Sequence, residues 1–160
     1  MFNIAAWRSV DSSEARVEAK ELVTAFLEEV RTDETLERCE LVISDIIDRY
    51  GMGGIAALQA EVFEAAVEPL AWKFLYALGV RRGQLVDDVA RAILLSQLHS
   101  TSAGRRSAAA SALGSFPDGV VLTALERQVA MEKNRMVLAT LNAQIRTLKR
   151  DAALSAAKII

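Results

Sequence analysis

Residues able to do acid–base or nucleophilic chemistry are few in this chain. His99 is the only histidine. It falls where a helical pattern ends, with no serine and carboxylate spaced to build a Ser–His–Asp relay. Asp87 and Asp88 are neighbours, and successive helical residues point about 100° apart, so they do not converge on one proton. At the start of a helix they instead suit its positive end. Cys39 is the single cysteine, so no intramolecular disulfide forms, and no Cys/His spacing of the metal-binding kind occurs. Gly51-Met52-Gly53-Gly54 lacks the flanking residues of a phosphate-binding loop or a dinucleotide fingerprint. The expectation is a non-enzyme that needs no metal and no cofactor.

What the chain does have is arginine at marked positions. Arg81-Arg82 precede Gly83, Arg105-Arg106 open an alanine-rich stretch, and Arg91 and Arg127 lie within apolar-periodic segments. A guanidinium keeps its charge when partly desolvated and makes paired hydrogen bonds to carboxylates. These six arginines are therefore the candidate contacts for an acidic protein partner, with Gln97, Glu126 and Lys133 beside them. The overall charge of −2 conceals an asymmetry. Residues 1–68 carry 15 acidic and 6 basic side chains, a balance of −9, whereas residues 69–160 carry 6 and 13, a balance of +7. Two readings stay open: a basic surface that meets a partner, or opposed helix layers that cohere internally. Trp7, Trp72, Phe74 and Tyr76 offer an aromatic surface. Helical spacing puts Phe74 and Leu78 in the core and leaves Trp72 and Tyr76 the more exposed pair.

The elements that must position these residues read as helices throughout. Asp11-Ser12-Ser13-Glu14 opens a first helix with an acid three residues on, and its apolar stripe is Ala15, Ala19, Leu22, Val23, Phe26 and Val30. Thr32 or Asp33 caps a second, with the stripe Leu36, Cys39, Ile43, Ile46, Ile47 and Tyr50. Cys39 is thus a small core residue. Gly51 to Gly54 ends that helix. A third carries Ile55, Leu58, Val62, Phe63 and Ala66, and Pro69 breaks or kinks the chain at its own position. Further helices are expected at 70–78, 84–99, 104–114, 118–132 and 134–149, with Asp151 capping a last one. There is no strand pattern. With 52% hydrophobic residues and 2 prolines, the chain suits one all-helical domain, residues 1–160. Met1 to Val10 lacks a signal peptide's basic start and apolar run, and no stretch is long enough to span a membrane, so a cytoplasmic protein is expected.

An internal period is present. Ala77-Leu78-Gly79 recurs as Ala112-Leu113-Gly114, and the same shift gives Thr147-Leu148-Lys149, an interval of 35 residues (113 − 78 and 148 − 113). Leu75, Ala110 and Ile145 share a second column. Leu85, Val86, Ala90 and Leu94 fall over Val120, Val121, Leu125 and Val129. Periods of this order mark stacked helix pairs.

Residues 70–150 resemble HEAT-like repeats. The likeness rests on Arg106, Ala109, Ala110, Ala112, Leu113 and Gly114, then on Asp118, Leu122 and Leu125 after the turn, and on Asn134-Arg135 as the start of another unit. Where that family often has an aspartate ahead of the arginine, this chain has Ser100-Thr101-Ser102. The resemblance implies an all-α fold of antiparallel helix pairs stacked as a short α-solenoid, preceded by the acidic helices of residues 1–68. It also implies a curved surface used mostly for proteins and in a minority for nucleic acid. The first expectation is accordingly a non-catalytic protein-binding module of adaptor, regulatory or inhibitor and immunity type. A nucleic-acid binder using the basic half ranks second, since phosphate contacts need clustered Lys and Arg. A structural subunit docking through Leu154, Ile159 and Ile160 ranks third. Nothing in the sequence fixes the oligomeric state.

Overall fold

The structure, a computed structural model, describes residues 13–32, 37–64 and 68–158. They form seven packed helices and no strand: α1 (Ser13–Thr32), α2 (Glu37–Glu64), α3 (Glu68–Leu78), α4 (Gln84–Gln97), α5 (Ala103–Leu113), α6 (Gly119–Met131) and α7 (Arg135–Ala157). The expected fold class, all-α, is the observed one. The caps expected at Asp11, Ser12 and Asp33, together with Trp7, Leu36, Ala66, Ile159 and Ile160, lie outside the described residues.

Two boundaries have local causes. The glycine run ends a helix as expected: α2 is two helical segments meeting directly at a kink, with Gly51 in a non-helical conformation (φ 55°, ψ −129°). That positive φ is available to glycine without strain. The bend there is sharp. A β-carbon added at Gly54 would lie 2.6 Å from the Ile46 carbonyl oxygen, whereas eight residues of straight helix span about 12 Å. The other boundary, in α7, departs from expectation. Asp151 caps no new helix, because nothing between Lys149 and Ala157 breaks the pattern, and α7 runs on to Ala157. Pro69 sits in the first turn of α3, where its missing amide hydrogen has no intrahelical partner to lose.

The first helices of the sequence pattern pack in a row. α3 lies on α2, α5 on α3 and α7 on α5. Small residues set their approach. Ala108, Ala109 and Ala110 of α5 are fully buried, and a β-carbon at Gly79 would come within 3.0 Å of Ala112. A β-carbon at Gly104 would fall 2.3 Å from the Trp72 ring. Trp72 is therefore half-buried on that glycine rather than an exposed platform, while Tyr76 remains 39% exposed. Phe63 meets Phe74 edge-on, with ring centroids 5.4 Å apart. Cys39 is buried, as its stripe implied.

Positions 35 apart share their burial. Leu78, Leu113 and Leu148 are all buried, as are Val86 and Val121, whereas Leu85 and Val120 are both exposed. Helices α3 and α5 begin 35 residues apart (103 − 68), and so do α4 and α6 (119 − 84), whereas α5 and α7 begin 32 apart (135 − 103). α4 packs more extensively on the following α5 than on the preceding α3, and α6 packs on the following α7.

Leu113 is wholly buried while Leu85 is 56% exposed. Leu113→Ala is expected to cost about 2–5 kcal/mol, which for a chain of this size lowers the melting temperature by roughly 2–4 °C per kcal/mol. Leu85→Ala should leave it nearly unchanged. Thermal denaturation followed by circular dichroism checks both, and equal melting of the two variants contradicts the packing described here.

Candidate partner-binding surface

Of the six arginines singled out, five are held by the protein's own acceptors. Arg82 is the most enclosed, its side chain 6% exposed. Its Nε donates to Asp48 Oδ1 at 2.6 Å and Nη2 to Ser44 Oγ at 2.7 Å, while Nη1 donates to the carbonyls of Ala77 and Val80. One guanidinium thus ties α2 to the C-terminal end of α3. Arg81 donates through Nε to Asp87 Oδ2 at 2.8 Å and through Nη1 to the Ser115 carbonyl at 3.1 Å. Its guanidinium lies over the Phe116 ring, 5.1 Å from the centroid.

Asp87 organises this turn. Gly83, with φ 128°, precedes α4 and supplies no side-chain cap, and Asp87 reaches back to accept the Arg82 backbone N–H at 2.8 Å. Burial pushes the Asp87 carboxyl up, but hydrogen bonds from the Arg82 backbone and from Arg81 outweigh that and hold it below the usual aspartate range. The reading of Asp87 as a helix-start residue is borne out by this geometry.

Arg91 joins α4 to α6 through Asp118 and also reaches Asp88 at 3.3 Å. Asp118 caps α6 at the same time, accepting from the backbone of Val120 at 2.7 Å and Val121 at 3.3 Å. Arg105 pairs with Glu68 Oε1 at 3.0 Å and lies over the Phe63 ring at 4.7 Å. Glu68 also accepts from Trp72 Nε1 and Ser102 Oγ, which fastens the start of α3 to the start of α5. Arg106 makes a two-pronged pair with Glu132, Nε to Oε2 at 2.8 Å and Nη2 to Oε1 at 3.0 Å. Its Nη1 donates to the Ser100 and Thr101 carbonyls. Arg106 is thus held by carbonyls of the serine-threonine stretch and by a distant glutamate.

The sixth is different. Arg127 is exposed on α6 and makes no ion pair or hydrogen bond within the described residues. It stands at the edge of an open groove of about 640 Å³ between the end of α4 and the outer side of α6. Leu95, Val120 and Ala124 give that groove an apolar floor, and His99, Thr123 and Arg127 give it a polar margin. The groove exists because α4 seats on α5 and α6 on α7 more than either seats on the other. Its chemistry suits an apolar side chain accompanied by an acceptor for Arg127.

The structure therefore does not bring the six arginines together as one free basic edge. It uses Arg82, Arg105 and Arg106 as ties, leaves Arg81 and Arg91 partly exposed but paired, and frees Arg127. Part of the charge asymmetry is used inside the fold: Lys73 pairs with Glu40 at 3.3 Å, Arg82 with Asp48 at 2.6 Å and Arg105 with Glu68 at 3.0 Å, each across the boundary at residue 68. Among the described residues no cluster of His, Cys, Asp or Glu could hold a metal ion, and no helix is long and apolar enough to cross a membrane. Sequence reasoning missed the groove, since no residue pattern reports the gap between α4 and α6. The carboxylates that hold the arginines carried one signal: Asp48 lies 34 residues before Arg82 (82 − 48) and Glu68 37 before Arg105 (105 − 68), both near the 35-residue interval.

The fold and surface define an all-α protein of stacked helices with an open groove on one side. Against protein-family models, curated proteins and solved structures, the chain finds no match.

Arg106 makes acid the expected denaturant of the α5–α6 junction. Its hydrogen bonds outweigh burial and hold the Glu132 carboxyl at about 2, against an ordinary 4.5. A carboxyl depressed on folding contributes stability that is complete above about pH 4.5 and lost as pH falls toward 2. The melting temperature should accordingly drop across that window, and Glu132→Gln should be less stable than the parent at neutral pH with a shallower drop. Parallel curves for the two proteins would remove Glu132 from the account.

Proposed function

We propose that this protein is a non-catalytic protein-binding module of HEAT-like kind, which holds an acidic partner in the groove between α4 and α6. The observation that carries the reading is the coincidence of three features. The groove floor is apolar and open, and Val120, one of its lining residues, is 66% exposed. Its margin holds Arg127, the one candidate arginine without an acceptor among the described residues. The pair of helices that forms it, α4 and α6, corresponds to the second helices of successive repeat units, whose outer side is the continuous surface of a solenoid. Leu85 on α4, the residue 35 before Val120, is exposed as well. An aliphatic side chain seated on Leu95 and Ala124, with a carboxylate two or three atoms away, would meet both the floor and Arg127.

Nucleic acid fits this surface less well. Arg82, Arg91, Arg105 and Arg106 would have to leave carboxylates to reach a phosphate, and Asp118 lies beside the groove.

The test is site-specific capture. A photo-crosslinking amino acid placed at Val120 should trap a discrete protein from an extract of the native host, and the same group at Tyr76, on a first helix, should not. Adding Arg127→Glu to the Val120 probe should cut the yield about tenfold or more, the effect of a hot-spot contact worth roughly 2 kcal/mol or more. Equal capture at Val120 and Tyr76, or indifference to Arg127→Glu, overturns the reading.

A further inference from the structure

The two end helices carry opposite charge on their outward faces. α1 packs on α2, and α7 on α5 and α6, so they close opposite ends of the stack. On α1, Ala19, Val23, Phe26 and Leu27 turn inward. At about 100° per residue the opposite face holds Val17, Glu18, Glu21, Ala25 and Glu28, and all five are exposed. Lys20 does not dilute that face. It lines the crevice between α1 and α2, beside Gly53 and Ala57. The outward face is thus a set of carboxylates around a small apolar centre.

On α7 the inward residues are Val137, Leu141 and Leu148. Opposite them lie Arg135, Ala139, Asn142, Arg146, Arg150 and Ala153, again all exposed. Arg135 and Arg146 have no ion pair within the described residues, and Arg150 reaches only the adjacent Asp151 at 3.6 Å. Alanine at 139 and 153 keeps this face flat enough for another helix to lie along it. The spacing also agrees. Glu18 and Glu28 are ten residues apart (28 − 18) and Arg135 and Arg146 eleven (146 − 135), which along a helix is about 15 and 16 Å.

We propose that copies of this protein associate head to tail, the acidic outer face of α1 on one copy seating along the basic outer face of α7 on the next. The two faces differ, so the contact is heterologous, and copies add into an open row or a ring. A single helix-on-helix contact is at the small end of interface sizes, so association is weak and concentration-dependent. The charges lie at the surface, so added salt opposes it. The surface is separate from the α4–α6 groove.

Sedimentation of the full chain over a range of concentrations tests this. At low salt the average mass should rise with concentration, and high salt should return it to that of one chain. One variant carries Glu18→Lys, Glu21→Lys and Glu28→Lys; a second carries Arg135→Glu, Arg146→Glu and Arg150→Glu. Each should remain a single chain alone, because its two ends now bear like charge. An equimolar mixture should associate again, a result that misfolding could not produce. Arg127→Glu should leave association intact, which separates this contact from the groove. A parent protein that stays a single chain at every concentration in low salt overturns the proposal. So does a mixture that fails to associate while both variants keep the parent's circular dichroism.

Discussion

How closely α5 lets its neighbours approach is the constraint on which the rest of the stack depends. α3 meets α5 where Gly79 faces Ala112 and where Trp72 lies on Gly104. On its other side α5 meets α7, where a β-carbon at Gly114 would fall 1.9 Å from the Gln144 side-chain oxygen. A core of this kind gains little from any one side chain, since an alanine buries few atoms. Its gain comes from dispersion between closely set backbones and from leaving no void. The large residues sit around that small-residue seam, with Leu75, Leu78, Leu94 and Leu113 each fully buried. Widening the seam by one methyl group would lift a whole row of leucines from their contacts.

Close packing fixes distances but leaves helices free to slide and rotate, and the arginines remove that freedom. Each reaches a carboxylate outside its own helix or turn, Arg82, Arg105 and Arg106 from helix junctions and Arg91 from within α4: Arg82 to Asp48, Arg91 to Asp118, Arg105 to Glu68 and Arg106 to Glu132. Pairs of this kind add modest net stability, because desolvation offsets most of the attraction. Their geometric demand is stricter than their energy. A two-pronged guanidinium–carboxylate contact such as Arg106–Glu132 accepts only a narrow range of orientations. Asp118 does two jobs at once, capping α6 with one oxygen and holding Arg91 with the other. The turns are thereby specified by polar contacts where the apolar seam cannot specify them.

Much of this was legible in the sequence, because it is local. The all-α class, the burial of Leu78, Leu113 and Leu148, the Asp118 turn and the burial of Cys39 follow from 3.6-residue periodicity and from capping residues. What was not legible depends on contacts between distant residues. Trp72 reads as a free aromatic until Gly104, thirty-two residues on (104 − 72), is seen beneath it. Arg105 and Arg106 read as an exposed pair at a helix start, yet Glu68 and Glu132 take them up from either side. The glycine run read as a helix end, which it is, but the sequence could not say that within this run only Gly51 takes a conformation that other residues avoid. Sequence alone ranks glycines by type, and structure ranks them by φ and by the neighbour that a β-carbon would meet.

The same division explains where binding chemistry can reside. An arginine at a junction is committed, since releasing it would strand a carboxylate that is itself partly buried, as Glu132 is at 3% exposure. In the proposed binding role, partner contacts would then come from positions that the stack does not use to set its own geometry. Those are the outer sides of the second helices and the outer faces of the two end helices. On α4 and α6 the stack leaves apolar residues exposed, Leu85 and Val120, and Val120 lines the same groove as Arg127, which has no acceptor among the described residues. On the end helices it leaves charge of opposite sign. Substituting junction arginines would therefore perturb recognition only by perturbing the fold, whereas substitutions on these outer faces can change recognition with the stack intact.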